Sequence, residues 1–524
     1  MDVGDESVEQ QYDVIVVGAG SAGAALAARL SEDPTRSVLL IEAGPDYPDA
    51  DSLPPDLREG NSAGPATVGP HVWGYFATAN DQQPEPIGIP RGKVTGGSSA
   101  VNGSIMLRGM PEDFDDWAAR GNPEWAFQRV LPFFCHMEDD LDFGGEFHGS
   151  AGPTPIQRHP VETMSPLQRA FFRAAEDAGF PVDPDMNAPG STGVGAWPMN
   201  AIDGLRYSTA LAYLTPTRHR SNLTILPNTL ACRVLFDGRR ATGMEVETDG
   251  HRRVVDGHEV VLSCGAIASP HLLLLSGVGP VGQLQQHGIE PVHDLIGVGE
   301  NLRDHPLVVL LFRSADPSAK HVGQAVQAGL RCTADGSLTR NDLYLIPISV
   351  ASGKGSAYST SPDQVLGTGI GVALENPSTA GTLQLASGDP HDQPQFNYQY
   401  LSDAWDRERL RQGVRLAIEL SRHPAYSPLL GERLMPCDND LASDEALDLW
   451  MRTHATTQHH SSGTCKMGPR SDPTAVVDQC CRVHGLEGLR VVDASLMPNV
   501  VRANTNATAI MIGERVAAMM REGQ

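Results

Sequence analysis

The chain lacks several features that would assign it to a class at once. Its 524 residues include eight cysteines but no Cys-x-x-Cys pair, which argues against a disulfide framework or a zinc cluster. No uninterrupted run of about 18 apolar residues is present to cross a membrane. The start of the chain is acidic and polar, unlike a signal peptide. We therefore expect a cytoplasmic protein without membrane insertion.

Positive charge is also scarce. Lys and Arg number 39 against 64 Asp and Glu, which gives a net charge of −25. Such a chain repels nucleic acid, so we expect no nucleic-acid partner. An acidic surface is typical of a soluble protein, although it leaves a cationic substrate open. The length predicts two or more domains, and no internal repeat or low-complexity segment interrupts them.

The first ordered segment combines a strand, a glycine turn and a helix. DVIVV (13–17) is the β-branched run typical of a buried parallel strand, AALAARLSE predicts a helix, and SVLLIEAG predicts a second strand. Gly18, Gly20 and Gly23 form a GxGxxG fingerprint between strand and helix, and Glu42 ends the second strand. This arrangement predicts binding of a dinucleotide, with Glu42 accepting hydrogen bonds from a ribose. The fingerprint alone does not distinguish FAD from NAD.

The remaining elements are predicted with less detail. The stretch from about Pro45 to Gly109 is rich in Gly, Pro and Ser, which predicts a long loop region. A helix is expected after Ser165, its N-cap, with Gly179 as its stop. Short apolar runs separated by turns predict an antiparallel sheet over about 310–400. Periodicity also predicts helices near 111–121, 126–140, 402–422 and 443–454, a strand and apolar helix across 259–277, and a strand and closing helix after 488.

Longer motifs identify a family. They occur in the order RGKVTGGSSAVNGSIMLRG (91–109), CGAIASPHLLLLSGVGP (264–280), GVGENLRDHP (297–306), HHSSGTCKMG (459–468) and LRVVDASLMPNVVRANTNATAIMIGERVA (489–517). With them the chain closely resembles the glucose–methanol–choline (GMC) family of flavoprotein oxidoreductases from about Tyr12 to Ala518. The resemblance implies an α/β fold with a Rossmann-like FAD-binding domain (10–165, 195–310 and 458–522). It also implies a substrate-binding domain (166–194 and 311–457) with an antiparallel β-sheet flanked by helices.

The resemblance also implies where FAD binds. The small residues of TGGSSAVNGSI can bring backbone N–H groups close to the cofactor, and the start of the closing helix carries a partial positive charge suited to reduced flavin. Some relatives hold FAD covalently through a histidine just before the asparagine, but here that residue is Val101, so we expect non-covalent FAD. The implied FAD-binding residues are Gly18, Gly20, Ser21, Ala22, Gly23, Glu42, Ala43, Thr95, Gly96, Asn102, Gly103, Val234, Asp493, Ala494, Asn504 and Thr505.

The adjacent histidines His459 and His460 raise three alternatives: catalysis, a metal site or packing. No metal is expected, because His454, His459 and His460 lack a useful ligand spacing and no Asp or Glu lies among them. The resemblance places the catalytic histidine at His460, directly before SSGT, and leaves His459 to line the pocket. It places a second catalytic residue at Asn504, with Asn506 as the runner-up.

The implied reaction is oxidation of a small-molecule alcohol to an aldehyde or ketone. Hydride passes to flavin N5, His460 acts as general base, and Asn504 orients the hydroxyl. The electron acceptor is O₂ or a quinone or dye-type carrier. An alternative is a hydroxynitrile lyase that keeps FAD as structure, and a weaker one is a flavin-bound scaffold without chemistry. The identity of the alcohol, the choice between oxidase and dehydrogenase, and the oligomeric state remain open.

Overall fold

A computed structural model of the chain describes residues 11–60, 69–315, 326–352 and 366–524. Its α-helices are α1 Ser21–Leu30, α2 Pro55–Arg58, α3 Pro111–Ala119, α4 Phe127–Met137, α5 Pro166–Asp177, α6 Gly265–Leu275, α7 Val281–Gln286, α8 Ala404–Ser421, α9 Asp444–His454 and α10 Thr505–Arg521. Its strands are β1 Tyr12–Val17, β2 Val38–Ile41, β3 Val72–Ala77, β4 Ile87–Gly92, β5 Glu138–Asp140, β6 Thr154–Ile156, β7 Gly193–Ala196, β8 Ala201–Ile202, β9 Leu205–Arg206, β10 Leu223–Leu226, β11 Thr229–Asp237, β12 Arg240–Thr248, β13 His251–Leu262, β14 Val278–Gly279, β15 His293–Asp294, β16 Pro306–Ser314, β17 Ala328–Cys332, β18 Leu343–Ser352, β19 Leu366–Leu374, β20 Thr382–Gln384, β21 Gln395–Asn397, β22 Leu430–Met435, β23 Thr456–Thr457 and β24 Leu489–Val491.

A parallel sheet forms the first layer, in the order β10-β2-β1-β13-β24. The long strand β13 continues beyond this sheet and pairs antiparallel with β12, which pairs with β11. Residues Val14 to Val17 of β1 are all buried, as expected for a strand covered on both faces. The strand, helix and strand predicted from the first 42 residues are confirmed.

Helix α1 packs on this sheet, and α10 packs on α1, at close range because glycines line both contacts. A Cβ atom at Gly23 of α1 would lie 2.0 Å from the carbonyl oxygen of Gly18. A Cβ atom at Gly513 of α10 would lie 2.4 Å from the carbonyl oxygen of Ala22. Neither position has room for a larger residue, so α1 is fixed between the sheet and α10.

A second, antiparallel sheet has the order β22-β16-β19-β18-β17-β7, with β23 also paired to β16. Helices α5 and α8 pack against its strands. The α/β fold with a separate antiparallel sheet flanked by helices is therefore confirmed. Helix α5 begins directly after Ser165, although the Ser165 hydroxyl makes no capping hydrogen bond, and Gly179 follows its end with φ of +93°.

The prediction of a long loop from Pro45 to Gly109 was wrong over 72–92. Strands β3 and β4 pair there as an antiparallel hairpin. Tyr75 and Ala77 of β3 and Ile87 and Ile89 of β4 are buried, so the alternation of a half-buried strand is present. The sequence did not reveal this alternation because the segment also contains glycines and prolines, which normally indicate turns.

Among the residues described, no helix combines the length and the apolar character needed to cross a membrane.

Candidate active site

A cavity of about 590 Å³ lies between the two sheets. One wall is formed by the turns at the carboxyl ends of β1, β2 and β13, where ligands bind in open α/β sheets. The opposite wall includes Leu307 of β16 and Ile346 and Ile348 of β18. The volume is in the range of small-molecule and cofactor sites.

The cavity brings together most of the residues assigned to FAD from the sequence. Those that line it are Gly18, Gly20, Ser21, Ala22, Glu42, Ala43, Asn102, Gly103, Asp493, Ala494, Asn504 and Thr505. The other four do not line it. Gly23 packs against Gly18, and Gly96 precedes a 3₁₀ turn with φ of +92°. The Thr95 hydroxyl donates to Asp46 Oδ1 at 2.8 Å, and the Val234 N–H donates to Ser276 Oγ at 2.8 Å.

Two glycine segments meet at the bottom of the cavity. Gly18 has φ of +97°, a conformation that favours glycine. A Cβ atom at Gly97 would lie 2.6 Å from the Cα of Gly20. Helix α1 begins next to this contact, and its N-cap residue Gly20 offers no side chain to its first N–H groups. Backbone donors at a helix N-terminus are suited to phosphate oxygens.

Glu42 lies at the end of β2 and is buried. Its carboxylate accepts hydrogen bonds from the N–H groups of Ala19 at 3.0 Å and Gly44 at 2.9 Å. Burial raises the pKa of Glu42 to about 7, although these hydrogen bonds favour the charged form. Glu42 therefore braces the glycine turn and also presents its carboxyl group to the cavity.

Asp493 plays a similar bracing role at the end of β24. Its Oδ2 atom accepts from the Gly265 N–H at 2.9 Å and from the Ser269 hydroxyl at 2.6 Å, and its Oδ1 atom accepts from the Ser495 N–H at 2.8 Å. Burial raises the pKa of Asp493. This carboxyl group joins the start of α6 to the 3₁₀ turn after β24, and both elements line the cavity.

His460 lies in the cavity wall with both ring nitrogens engaged. Its Nε2 atom lies 3.2 Å from the amide nitrogen Nδ2 of Asn504, and its Nδ1 atom lies 2.9 Å from Nδ1 of His305. The backbone N–H of His460 donates to Asp304 Oδ1 at 2.7 Å. Burial lowers the pKa of His460 well below its usual range, and the nearby His305, His459 and Arg91 lower it further. The imidazole is therefore neutral and can accept a proton.

The structure separates the two asparagines proposed for the second role. Asn504 stands at the N-cap of α10, and its Oδ1 atom accepts from the Tyr344 hydroxyl at 3.0 Å. Asn506 instead accepts from the Ser21 hydroxyl at 2.7 Å and faces Met106. Of the two, Asn504 is the one that contacts His460.

His459 also lines the cavity, but its backbone differs from that of its neighbour. It has φ of +69°, a conformation uncommon for residues other than glycine. Its N–H donates to the Thr457 hydroxyl at 2.7 Å. Burial lowers the pKa of His459 to about 3.

Sequence reasoning missed four side chains at this site: Asp304, His305, Tyr344 and Arg91. Asp304 and His305 belong to the motif GVGENLRDHP, which carried the family resemblance without giving either residue a role. Arg91 opens the motif RGKVTGG. No local signal indicated Tyr344, which approaches Asn504 only through the packing of the second sheet.

Arg91 is the one Arg or Lys side chain among the described residues that line the cavity. Its Nη2 atom donates to Ser461 Oγ at 3.3 Å. In the part of the chain that the structure describes, no carboxylate oxygen lies within 4.0 Å of its guanidinium nitrogens. Its charge is thus available to the cavity.

Another cluster of possible metal ligands lies outside the cavity, formed by Glu138, Asp140 and His148. Arg108 pairs with Glu138, and Arg158 Nη1 lies 2.9 Å from Asp140 Oδ1. Hydrogen bonds to the carboxylates raise the pKa of His148 to about 11 against the opposing effect of burial. The two arginines and His148 already pair with these carboxylates, so we assign the cluster as an ion-pair network.

Comparison with known proteins gives a consistent result. The chain matches the family models for GMC oxidoreductase over residues 12–307 and 377–513. It is 38% identical to a GMC-type oxidoreductase of Rhodococcus erythropolis, covering 97% of this chain and 98% of the relative. It is 37% identical to the mitochondrial choline dehydrogenase of Mus musculus, covering 98% and 90%.

A solved structure agrees over the same length. Pyridoxine 4-oxidase from Mesorbium loti superposes with a TM-score of 0.90 at 30% identity, covering 98% of this chain and 99% of that chain. The chain therefore belongs to the GMC oxidoreductases and is an FAD-dependent enzyme of the type that acts on CH–OH donors.

Proposed function

We propose that the enzyme oxidises an alcohol to an aldehyde or ketone, with His460 as general base and Asn504 orienting the hydroxyl. One observation carries this proposal: the Nε2 atom of His460 and the amide of Asn504 face each other at 3.2 Å in the wall of the cavity. A hydroxyl oxygen placed beside both groups would give its proton to Nε2 and accept a hydrogen bond from Nδ2. A base held in this way contributes about 10² to 10⁴ in rate.

The residues present fit FAD in the same cavity. The Gly20–Gly97 contact gives a surface without side chains, and the start of α1 offers N–H groups suited to a pyrophosphate. Bound FAD supplies the hydride acceptor at its N5 atom. Glu42 is proposed to accept hydrogen bonds from the adenosine ribose, and the N-terminus of α10 at Thr505 to face the flavin ring.

We propose that FAD is held without a covalent bond. Val101 precedes Asn102 in the cavity wall and has no group that could form a link. Cys264 also lines the cavity, but burial raises the pKa of its thiol. A protonated, buried thiol is a poor nucleophile.

The face that β16 and β18 present to the cavity is largely apolar. Tyr344, Ile346 and Ile348 alternate along β18 and therefore share one face, and Tyr344 on that face reaches Asn504. Leu307 of β16 lies on the same side of the cavity. This wall favours an alcohol with an apolar or aromatic carbon skeleton.

The names of relatives include an oxygen-dependent choline dehydrogenase of Vibrio vulnificus and a glucose dehydrogenase of Drosophila melanogaster that uses FAD and a quinone. We therefore keep both O₂ and a quinone or dye as proposed acceptors. We also propose that the two sheets mark the two domains, with the boundaries given from the sequence. A cytoplasmic location stays a prediction.

The test is anaerobic mixing of the yellow protein with a panel of primary alcohols. Loss of the oxidised flavin band indicates hydride transfer, and re-oxidation by O₂ or by a quinone dye then identifies the acceptor. A band that persists with every alcohol, together with cleavage of a hydroxynitrile, would support the lyase alternative.

A further inference from the structure

We propose that His305 is a positioning residue that fixes the tautomer of His460, so that Nε2 is the unprotonated nitrogen facing the substrate. The inference rests on the proposed role of His460 as base. It concerns a residue that precedes β16, 155 positions before His460 in the chain.

The contact between the two histidines is short and buried. Their Nδ1 atoms lie 2.9 Å apart, and their ring planes cross at 78°. The exposed fraction is 0% for His305 and 6% for His460. Two nitrogens at this distance require one of them to donate and the other to accept, because two N–H groups or two lone pairs would repel each other.

The rest of the network decides which nitrogen donates. The Tyr344 hydroxyl donates to Asn504 Oδ1 at 3.0 Å, and we assign the amide orientation from this contact. Nδ2 of Asn504 then faces Nε2 of His460. An amide NH₂ group only donates, so Nε2 accepts and is unprotonated. The proton of the neutral His460 ring is therefore on Nδ1, and Nδ1 of His305 accepts it.

His305 accepts at Nδ1 as the neutral ring that carries its proton on Nε2. Burial lowers its pKa to about 3. Glu375 lies behind it, with Oε2 3.4 Å from His305 Nδ1. Burial raises the pKa of Glu375 well above its usual range, which favours the neutral carboxyl group beside the neutral ring. The other charged or titratable groups near the two rings are Arg91, Asp304 and His459.

The consequence is a base that is ready before substrate arrives. Without an acceptor at Nδ1, the His460 ring would populate both neutral tautomers, and the form with a proton on Nε2 cannot accept the hydroxyl proton. When Nε2 does take that proton, the Nδ1–H remains bonded to His305. The arrangement keeps the ring in one orientation throughout the proton transfer.

The experiment measures the tautomer directly in the holoenzyme. Protein labelled with ¹⁵N-histidine is examined by long-range ¹H–¹⁵N correlation spectra, and the His460→Asn variant identifies the signals of His460. We expect a protonated Nδ1 and an unprotonated Nε2 in the wild-type protein. A wild-type His460 with its proton on Nε2 overturns the inference, even if no His305 variant folds.

Variants of His305 provide the second part of the experiment. His305→Leu removes the acceptor and should produce a mixture of tautomers and slow anaerobic flavin reduction by about 10- to 100-fold. His305→Asn places Oδ1 near the former Nδ1 position and should restore a single tautomer and most of the rate. Melting temperature and FAD content serve as controls for a merely structural effect. An unchanged tautomer in His305→Leu overturns the inference.

The two proposals can fail separately. If no alcohol reduces the flavin, the proposed function fails, while the spectra of wild type and His305→Leu still decide the role of His305.

Discussion

The carboxyl group of Asp304 accepts the backbone N–H of His460 at 2.7 Å, and the ring of the next residue, His305, contacts the His460 side chain. Two consecutive residues thus hold both the main chain and the imidazole of the same histidine. Asp304 also accepts from the hydroxyls of Thr457 and Tyr400. The position of His460 is therefore set by the entry to β16, which belongs to the opposite sheet.

His460→Ala should slow anaerobic flavin reduction by about 10² to 10⁴ with FAD still bound, because it removes the proposed base. Asn504→Ala should have a smaller effect, since it loses one orienting hydrogen bond. His459→Ala should change substrate affinity more than the reduction step. Stopped-flow absorbance of the three variants gives the order. If His459→Ala is the slowest, the catalytic role has been placed on the wrong histidine.

Asp304→Ala should destabilise the folded protein by about 2 to 4 kcal/mol, because it leaves a buried N–H and two buried hydroxyls without their acceptor. Tyr400→Phe removes one donor only and should cost about 1 kcal/mol. Urea unfolding followed by fluorescence measures both. Equal stabilities of Asp304→Ala and Tyr400→Phe would contradict the proposed anchoring role.

FAD should leave the polypeptide on denaturation. After precipitation with acid or heat, the flavin fluorescence should be found in the supernatant, because Val101 occupies the position of the linking histidine. Fluorescent flavin that migrates with the denatured chain on a gel would refute non-covalent binding.

Glu42→Ala should lower the FAD content of the purified protein while the remaining holoenzyme reacts at nearly the wild-type rate, since the carboxyl group lies at the nucleotide end of the cavity. The ratio of flavin to protein absorbance measures retention, and stopped-flow reduction measures the chemistry. An unchanged FAD content would show that Glu42 stabilises the glycine turn but does not bind FAD.

Glu42 should also affect the stability of the apoprotein in a pH-dependent way. Its pKa is raised from 4.5 to about 7 by burial, so the folded state holds its proton more tightly than the unfolded state. The contribution to stability is therefore full below pH 4.5 and is lost as pH rises toward 7, in total roughly 3 kcal/mol. Urea unfolding of wild type and Glu42→Gln across this range should show a steeper decline for wild type.

Arg91→Met should shift the acid limb of the flavin-reduction profile to higher pH. The charge of Arg91 lowers the pKa of His460 after the larger effects of burial and the two neighbouring histidines, so its removal allows protonation of the base at a higher pH. Arg482→Met, on the exposed surface, is the matched control. Identical acid limbs for the two variants would show that Arg91 does not act on His460.

Local patterns determined much of this protein. The β-branched run, the three glycines and Glu42 predicted the first βαβ unit, because each of these residues acts on its own turn or strand. Short apolar runs predicted the antiparallel sheet. The hairpin of β3 and β4 was not predicted from the sequence, since Gly74 and Pro90 are residues that normally indicate turns.

The geometry around His460 was decided by tertiary structure. Tyr344 lies 160 residues before Asn504, and His305 lies 155 residues before His460, so no local spacing relates them. The sequence left Asn506 as a runner-up to Asn504, two positions apart. Successive residues at the start of a helix point in different directions, and here one amide faces His460 while the other bonds Ser21. The packing of the second sheet against the start of α10 brings Tyr344 to Asn504, and a sequence pattern carries no information about that distance.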